Sequence, residues 1–105
     1  MMAAQPKPTT PLVMLAVLQA RPDQHDQLRA ALTALVPLTR AEPGCIDYTL
    51  FEQADAPGTF YMRESFTDQA ALDEHIATPY FQSFAKRFDE LLDRPLHLIY
   101  LNEVV

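Results

Sequence analysis

Two side chains in this sequence have chemistry at odds with their neighbours. His75 falls one helical turn from Leu72 and beside Ile76, on the apolar side of a predicted helix. An imidazole titrates near neutrality and can take a proton from a phenol or quinol. The same position also suits a core histidine satisfied by one hydrogen bond. Glu64 alternates onto a strand face otherwise made of Phe60, Met62 and Phe66. A carboxylate there is costly unless it is paired or its pKa is raised. It reads as a pocket acid or an orienter of His75, or as a structural carboxylate holding a backbone N–H or an arginine. Tyr80, just after Thr78-Pro79, could bind a substrate oxygen through its hydroxyl or pack with one end wet. Tyr48 reads as a cross-strand packing residue or a pocket wall.

Other signals exclude more than they suggest. Eight basic against fourteen acidic residues give a net charge of −6, which argues against nucleic acid and anionic membranes as partners. The one cysteine, Cys45, excludes an intrachain disulfide framework and a cysteine-cluster zinc site. It reads as a small buried hydrophobe before a nucleophile. His25 lies among acidic and polar residues and His97 is isolated, so no histidine pair has metal-ligand spacing and no metal is expected. Two glycines and nine prolines leave little room for a phosphate-cradling loop, and no glycine-rich nucleotide motif or nucleophile elbow occurs.

The elements that must position these groups follow from hydrophobic period. The 105 residues suffice for one domain. Residues 1–11, with three prolines and no apolar run, read as a disordered tail or extended arm, and residues 12–105 as the domain. Leu12–Ala20 reads as a strand buried on both faces; its apolar run is too short to span a bilayer. Pro22 suits the first position of a helix whose Leu28, Leu32, Leu35 and Val36 form one stripe. Pro37 should kink that helix or start its last turn, and Pro43-Gly44 should end it. Cys45–Gln53 and Thr59–Thr67 alternate with period two and read as a hairpin around Ala54–Gly58, with Ile46, Tyr48 and Leu50 on one face. Thr67 or Asp68 caps a short helix carrying His75. Thr78-Pro79 restarts a helix with a heavy stripe of Phe81, Phe84, Ala85, Phe88, Leu91 and Leu92, closed by Pro95. Leu96–Val105 reads as a last strand, apolar on both faces.

The order β-α-β-β-α-α-β predicts an α+β domain of the ferredoxin-like, split βαβ type: an antiparallel sheet with helices on one face. Apolar residues on both faces of the first and last strands require a cover on the second face, and a second copy of the chain is the simplest one.

Arg40–Tyr48 (RAEPGCIDY), Arg63–Asp68 (RESFTD) and Ala71–Phe81 (ALDEHIATPYF), in this order, resemble the antibiotic biosynthesis monooxygenase family of dimeric α+β barrels, and most of all its quinol monooxygenase-like members. The resemblance covers about Leu12 to Leu101. It implies a homodimer whose sheets face each other and a pocket in each protomer between sheet and helices. It places His75 at the family's pocket-facing helix histidine and Phe66 where many relatives carry tryptophan. The heme-degrading branch uses an asparagine on the first strand and a tryptophan on the third; this chain has neither, so heme is not expected.

The resemblance implies a cofactor-independent oxygenase acting on a quinol or polyphenolic compound, and the Leu12–Leu18 run, too short for a membrane span or a convincing signal peptide, leaves a cytoplasmic protein as the expectation. Its pocket would be lined by Phe66, Tyr80, Phe81, Phe84 and Tyr48, with His75 as base and Glu64 fixing its orientation. Two alternatives stand beside it. One is a non-catalytic dimeric barrel that binds a small apolar ligand or serves in stress. The other is an isomerase of a small phosphorylated dicarbonyl, for which Arg40 and Arg63 are the nearest cations.

Overall fold

The computed structural model describes residues 10–105; most of the predicted tail, residues 1–9, lies outside the described residues. Four strands form one antiparallel sheet: β1 (Leu12–Gln19), β2 (Cys45–Glu52), β3 (Thr59–Phe66) and β4 (His97–Leu101), in the spatial order β2-β3-β1-β4. Four helices, α1 (His25–Arg40), α2 (Gln69–Ala77), α3 (Pro79–Ala85) and α4 (Phe88–Leu91), cover one face. This is the ferredoxin-like arrangement. Among the described residues, no helix is long and apolar enough to cross a membrane.

Strand register sorts the side chains. Met14, Ala16 and Leu18 of β1 are buried under the helices, together with Phe60, Met62 and Phe66 of β3. Val13, Leu15 and Val17 alternate to the other face. Met14 pairs with Glu64 on one side and Tyr100 on the other, and Glu64 pairs in turn with Tyr48. One row across the sheet therefore reads Tyr48–Glu64–Met14–Tyr100, with Glu64 on a central strand facing the helices. On the uncovered face the next row reads Thr49–Arg63–Leu15–Ile99.

Four boundaries differ from the sequence expectation, each for a local reason. Pro22 does not open α1. It sits in a turn closed by Gln24 N–H donating to the Arg21 carbonyl, where its fixed φ is equally suited, and the helix starts at His25. Ile46 does not share a face with Tyr48 and Leu50, because a register shift between Cys45 and Asp47 leaves it as the extra residue of a bulge. Ile46 is 55% exposed, whereas Tyr48 is buried. The long aromatic stripe is not one helix: at Arg87 the N–H bonds back three residues to Phe84, which tightens the chain and separates α3 from α4. That turn lets the Leu91 carbonyl accept from Arg21 N–H and Leu92 bridge to Ala20. The last strand is shorter than predicted and pairs only over His97–Leu101. Pro37, in contrast, lies where expected, opening the last turn of α1.

The caps around α2 and α3 follow the residue types. The Asp68 side chain accepts from Ala71 N–H at 2.8 Å. The Thr78 hydroxyl donates to the His75 carbonyl at 2.7 Å and accepts from Phe81 N–H at 3.3 Å, so one side chain ends α2 and begins α3. Gly58 has φ of 90° and lies against the His25 ring, which leaves no room for a Cβ. Gly44 is required by proximity: a methyl group there would overlap Ala71 Cβ at the start of α2. Gly44→Ala should therefore push α2 off β2 and destabilise the fold by about 1–3 kcal/mol. Thermal unfolding would check this, and an unchanged melting temperature would refute the close approach.

Candidate active site

His75 lies in the last turn of α2 with its side chain 1% exposed. Three aromatic rings enclose it: Tyr48 from β2, Phe66 from β3 and Phe81 from α3, with centroids 5.5, 5.1 and 5.0 Å away. Its Nδ1 stands 2.9 Å from Oε2 of Glu42, and the Tyr80 hydroxyl donates to that same oxygen. Its Nε2 is buried and has no partner among the described residues.

Glu42 is the residue that sequence reasoning missed. It follows the end of α1, where its N–H donates to the Thr39 carbonyl and its own carbonyl accepts from Cys45 N–H. Those bonds, with Pro43-Gly44 after them, turn the chain into β2 and aim the carboxylate at α2. A signal was present in the sequence. An acid just past a helix C-terminus sits at the negative end of the helix dipole and needs another reason to be there. Glu64 was expected to orient His75; Glu42 makes that contact instead.

Glu64 does share a cavity with His75. The cavity, about 40 Å³ and partly open, is walled by Met14, Leu72, Phe81 and Leu96, with Glu64 and His75 as its polar groups. Ile76 and Leu98 complete the wall and are 39% and 40% exposed, which makes them its mouth. Glu64 is 7% exposed, and no side chain among the described residues hydrogen-bonds its carboxyl. Burial, helped by the nearby charge of Glu42, pushes its pKa up to about 7.

The predicted aromatic lining divides. Phe81 walls the cavity, and Phe66 and Tyr48 pack on the His75 ring. Tyr80 and Phe84 do not line it. They face a separate groove of about 360 Å³ between α1 and α3, shared with Leu35, Leu38 and Arg87. The reason is helical geometry: Tyr80 and Phe84 are four residues apart on one side of α3, and Phe81 is turned toward the sheet. Tyr80 still reaches the site through Glu42. Burial and the Glu42 carboxylate push its phenol up to about 12, so it stays protonated and donates.

The cations considered for a phosphate lie elsewhere. Arg40 donates to the Tyr48 carbonyl, and Arg63 pairs with Asp47 on the opposite face of the sheet. The Cys45 thiol is pushed up, first by burial and then by the charge of Glu42, which disfavours the thiolate that a nucleophile needs. Among the described residues no cluster of three or more histidine, cysteine, aspartate or glutamate side chains could hold a metal ion.

The Glu64 shift makes stability depend on pH with a definite sign. Its carboxyl stays protonated to about pH 7 in the fold, against an ordinary value of 4.5. The stabilisation from this proton is complete below about pH 4.5 and is lost as the pH rises toward 7. Glu64→Gln removes the dependence. The variant should gain on the wild type by up to about 3 kcal/mol between pH 4.5 and pH 8. Urea unfolding at the two pH values checks this, and a constant difference would exclude a buried neutral acid at Glu64.

Comparison with known proteins agrees with this architecture. The family model "Antibiotic biosynthesis monooxygenase" matches residues 11–87. The chain is 40% identical over 88 residues to a Mycobacterium tuberculosis protein named "Putative monooxygenase Rv0793", covering 84% of this chain and 86% of that protein. The solved structure of that relative has a TM-score of 0.85 and covers 91% of this chain and 97% of its own. The crystal structure of PA3566 from Pseudomonas aeruginosa has a TM-score of 0.89 at 33% identity, covering 95% of this chain and all (100%) of that one. With the family model matching residues 11–87 and a relative 40% identical over most of both chains, the chain belongs to the antibiotic biosynthesis monooxygenase family.

Proposed function

We propose that this protein is a cofactor-independent monooxygenase acting on a quinol or polyphenolic small molecule, with His75 as its base. The observation that carries this reading is the bare, buried Nε2 of His75 on a ring that borders an apolar cavity. The large majority of buried polar side-chain atoms are hydrogen-bonded, so a bare one calls for an explanation. The family and the names borne by its relatives support the reaction class. In this scheme the phenolic O–H of the substrate passes its proton to Nε2. The resulting anion transfers one electron to O₂, the substrate radical and superoxide combine at carbon, and the proton on Nε2 returns to the peroxide to give a hydroperoxide. Loss of water from the hydroperoxide leaves a carbonyl. One oxygen atom goes to product and one to water, and all four electrons come from the substrate. The protein supplies a base, orientation and exclusion of water.

Cavity size sets a condition on this chemistry. About 40 Å³ has room for a molecule no larger than O₂ or one water. An aromatic ring enters by displacing Ile76 and Leu98 at the mouth, so the substrate's hydroxylated edge leads and its remainder stays near the surface. Glu64, about half protonated near pH 7 and more fully below it, can donate a hydrogen bond to a substrate oxygen beside His75. The isomerase alternative lacks support, because neither Arg40 nor Arg63 reaches the cavity.

The same reading includes a homodimer formed through the uncovered sheet face. Val13, Leu15 and Val17 stand there beside Ile99 and Leu101, which are 37% and 45% exposed. A contiguous apolar patch on a sheet is costly in water and fits a second copy of itself. Light scattering after size exclusion should give twice the chain mass at micromolar concentration; a stable monomer would exclude the dimer. For the reaction, O₂ uptake with reduced quinols under chelation should exceed autoxidation. His75→Ala should lower kcat about 100-fold or more. Equal rates for both proteins would remove His75 from the chemistry.

A further inference from the structure

We infer that Glu42 is a positioning residue that decides which nitrogen of His75 carries the proton. The geometry is a convergence of two donors on one oxygen. Oε2 of Glu42 accepts from the Tyr80 hydroxyl and lies 2.9 Å from His75 Nδ1. With the phenol supplying its own hydrogen, Oε2 is an acceptor, and the hydrogen of the second contact comes from the imidazole. Nδ1 is then the N–H, and the neutral ring is left with its lone pair on Nε2. That is the nitrogen without a partner, on a side chain 1% exposed, in a ring that borders the cavity.

The alternative tautomer fails on hydrogen-bond count. With the proton on Nε2, the Nδ1 lone pair would face the Glu42 oxygen, and a buried N–H would be left without an acceptor. Two further contacts brace the partners of Glu42. The Tyr80 hydroxyl also lies 3.4 Å from the Leu38 carbonyl of α1, and Thr78 locks the His75 carbonyl at the junction of α2 and α3. When Nε2 takes a proton, the ring's new charge is 2.9 Å from a carboxylate already in position, with no reorganisation needed. The role in turnover rests on the proposed function above; the tautomer assignment does not.

Nitrogen NMR of protein labelled at histidine, recorded at about pH 9 where an unperturbed imidazole is neutral, tests the assignment without any substrate. In the wild type, His75 should show a protonated Nδ1 and an unprotonated Nε2. Glu42→Gln offers the ring an amide that can donate to Nδ1, and should move population to the Nε2–H form. It should also lower kcat roughly tenfold or more while KM changes little. Tyr80→Phe, which leaves the Glu42 carboxylate in place, should keep the wild-type tautomer. A wild-type ring protonated on Nε2, or a tautomer unchanged by Glu42→Gln, would overturn the inference. The wild-type spectrum decides even if the glutamine variant does not fold. Absence of quinol turnover together with the expected spectra would sink the proposed reaction and leave the positioning role of Glu42 intact.

Discussion

One carboxylate oxygen ties the helical layer together. Oε2 of Glu42 meets the last turn of α2 through His75 and the first turn of α3 through Tyr80, and the chain that carries it is the exit from α1. A largely buried acid is costly unless its oxygens are hydrogen-bonded, and bonds to a carboxylate are stronger than neutral ones. The contact that satisfies the acid therefore also sets how three helices meet. Two close approaches reinforce it: Gly44 against Ala71, and Thr78 bridging α2 and α3. His75 is held by this arrangement and by three aromatic rings, so it has little freedom to turn.

Glu64 shows the opposite solution to the same problem. It lies on a central strand, in the row Tyr48–Glu64–Met14, where burial and the charge of Glu42 both oppose ionisation. It keeps its proton to about pH 7 in place of gaining a partner. Two acids near one histidine thus serve differently: Glu42 accepts from two donors, and Glu64 is a neutral acid on an apolar wall. A neutral carboxyl can donate where a carboxylate cannot, which gives the cavity a donor alongside His75. Apolar packing alone would be more stable there, and retaining an unpaired acid and an unpaired imidazole nitrogen in one cavity is the pattern of a site that trades stability for chemistry.

Much of this was legible beforehand because the periods are strong. Alternation in β2 and β3, the leucine stripe of α1 and the paired signals at Thr78-Pro79 point to one element order, and His75 and Glu64 stood out as polar groups on apolar faces. The boundaries that moved are those where two local solutions are nearly equal. Pro22 suits a turn as well as a helix start. A bulge at Ile46 breaks a period of two without any change in residue type. The i→i−3 step at Arg87 divides an aromatic stripe that reads as continuous. The lining of the site moved for a related reason: Tyr80, Phe81 and Phe84 are all aromatic, and only the rotation of α3 about its axis sends Phe81 to the sheet and the other two to α1.

By itself, the sequence determined the element order, the single sheet with one uncovered apolar face, and the presence of a histidine and a glutamate in the core layer. Those are properties of period and residue type along one chain, and local physics is enough to read them. The partner of His75 was decided by tertiary structure. Glu42 and His75 are 33 residues apart, and Glu42 and Tyr80 are 38 apart. Nothing in either local segment encodes that they share an oxygen. The contact exists only because β2 and β3 pair between them and bring the end of α1 back beside α2. Which acid partners His75, and which remains a neutral acid, is a consequence of that closure.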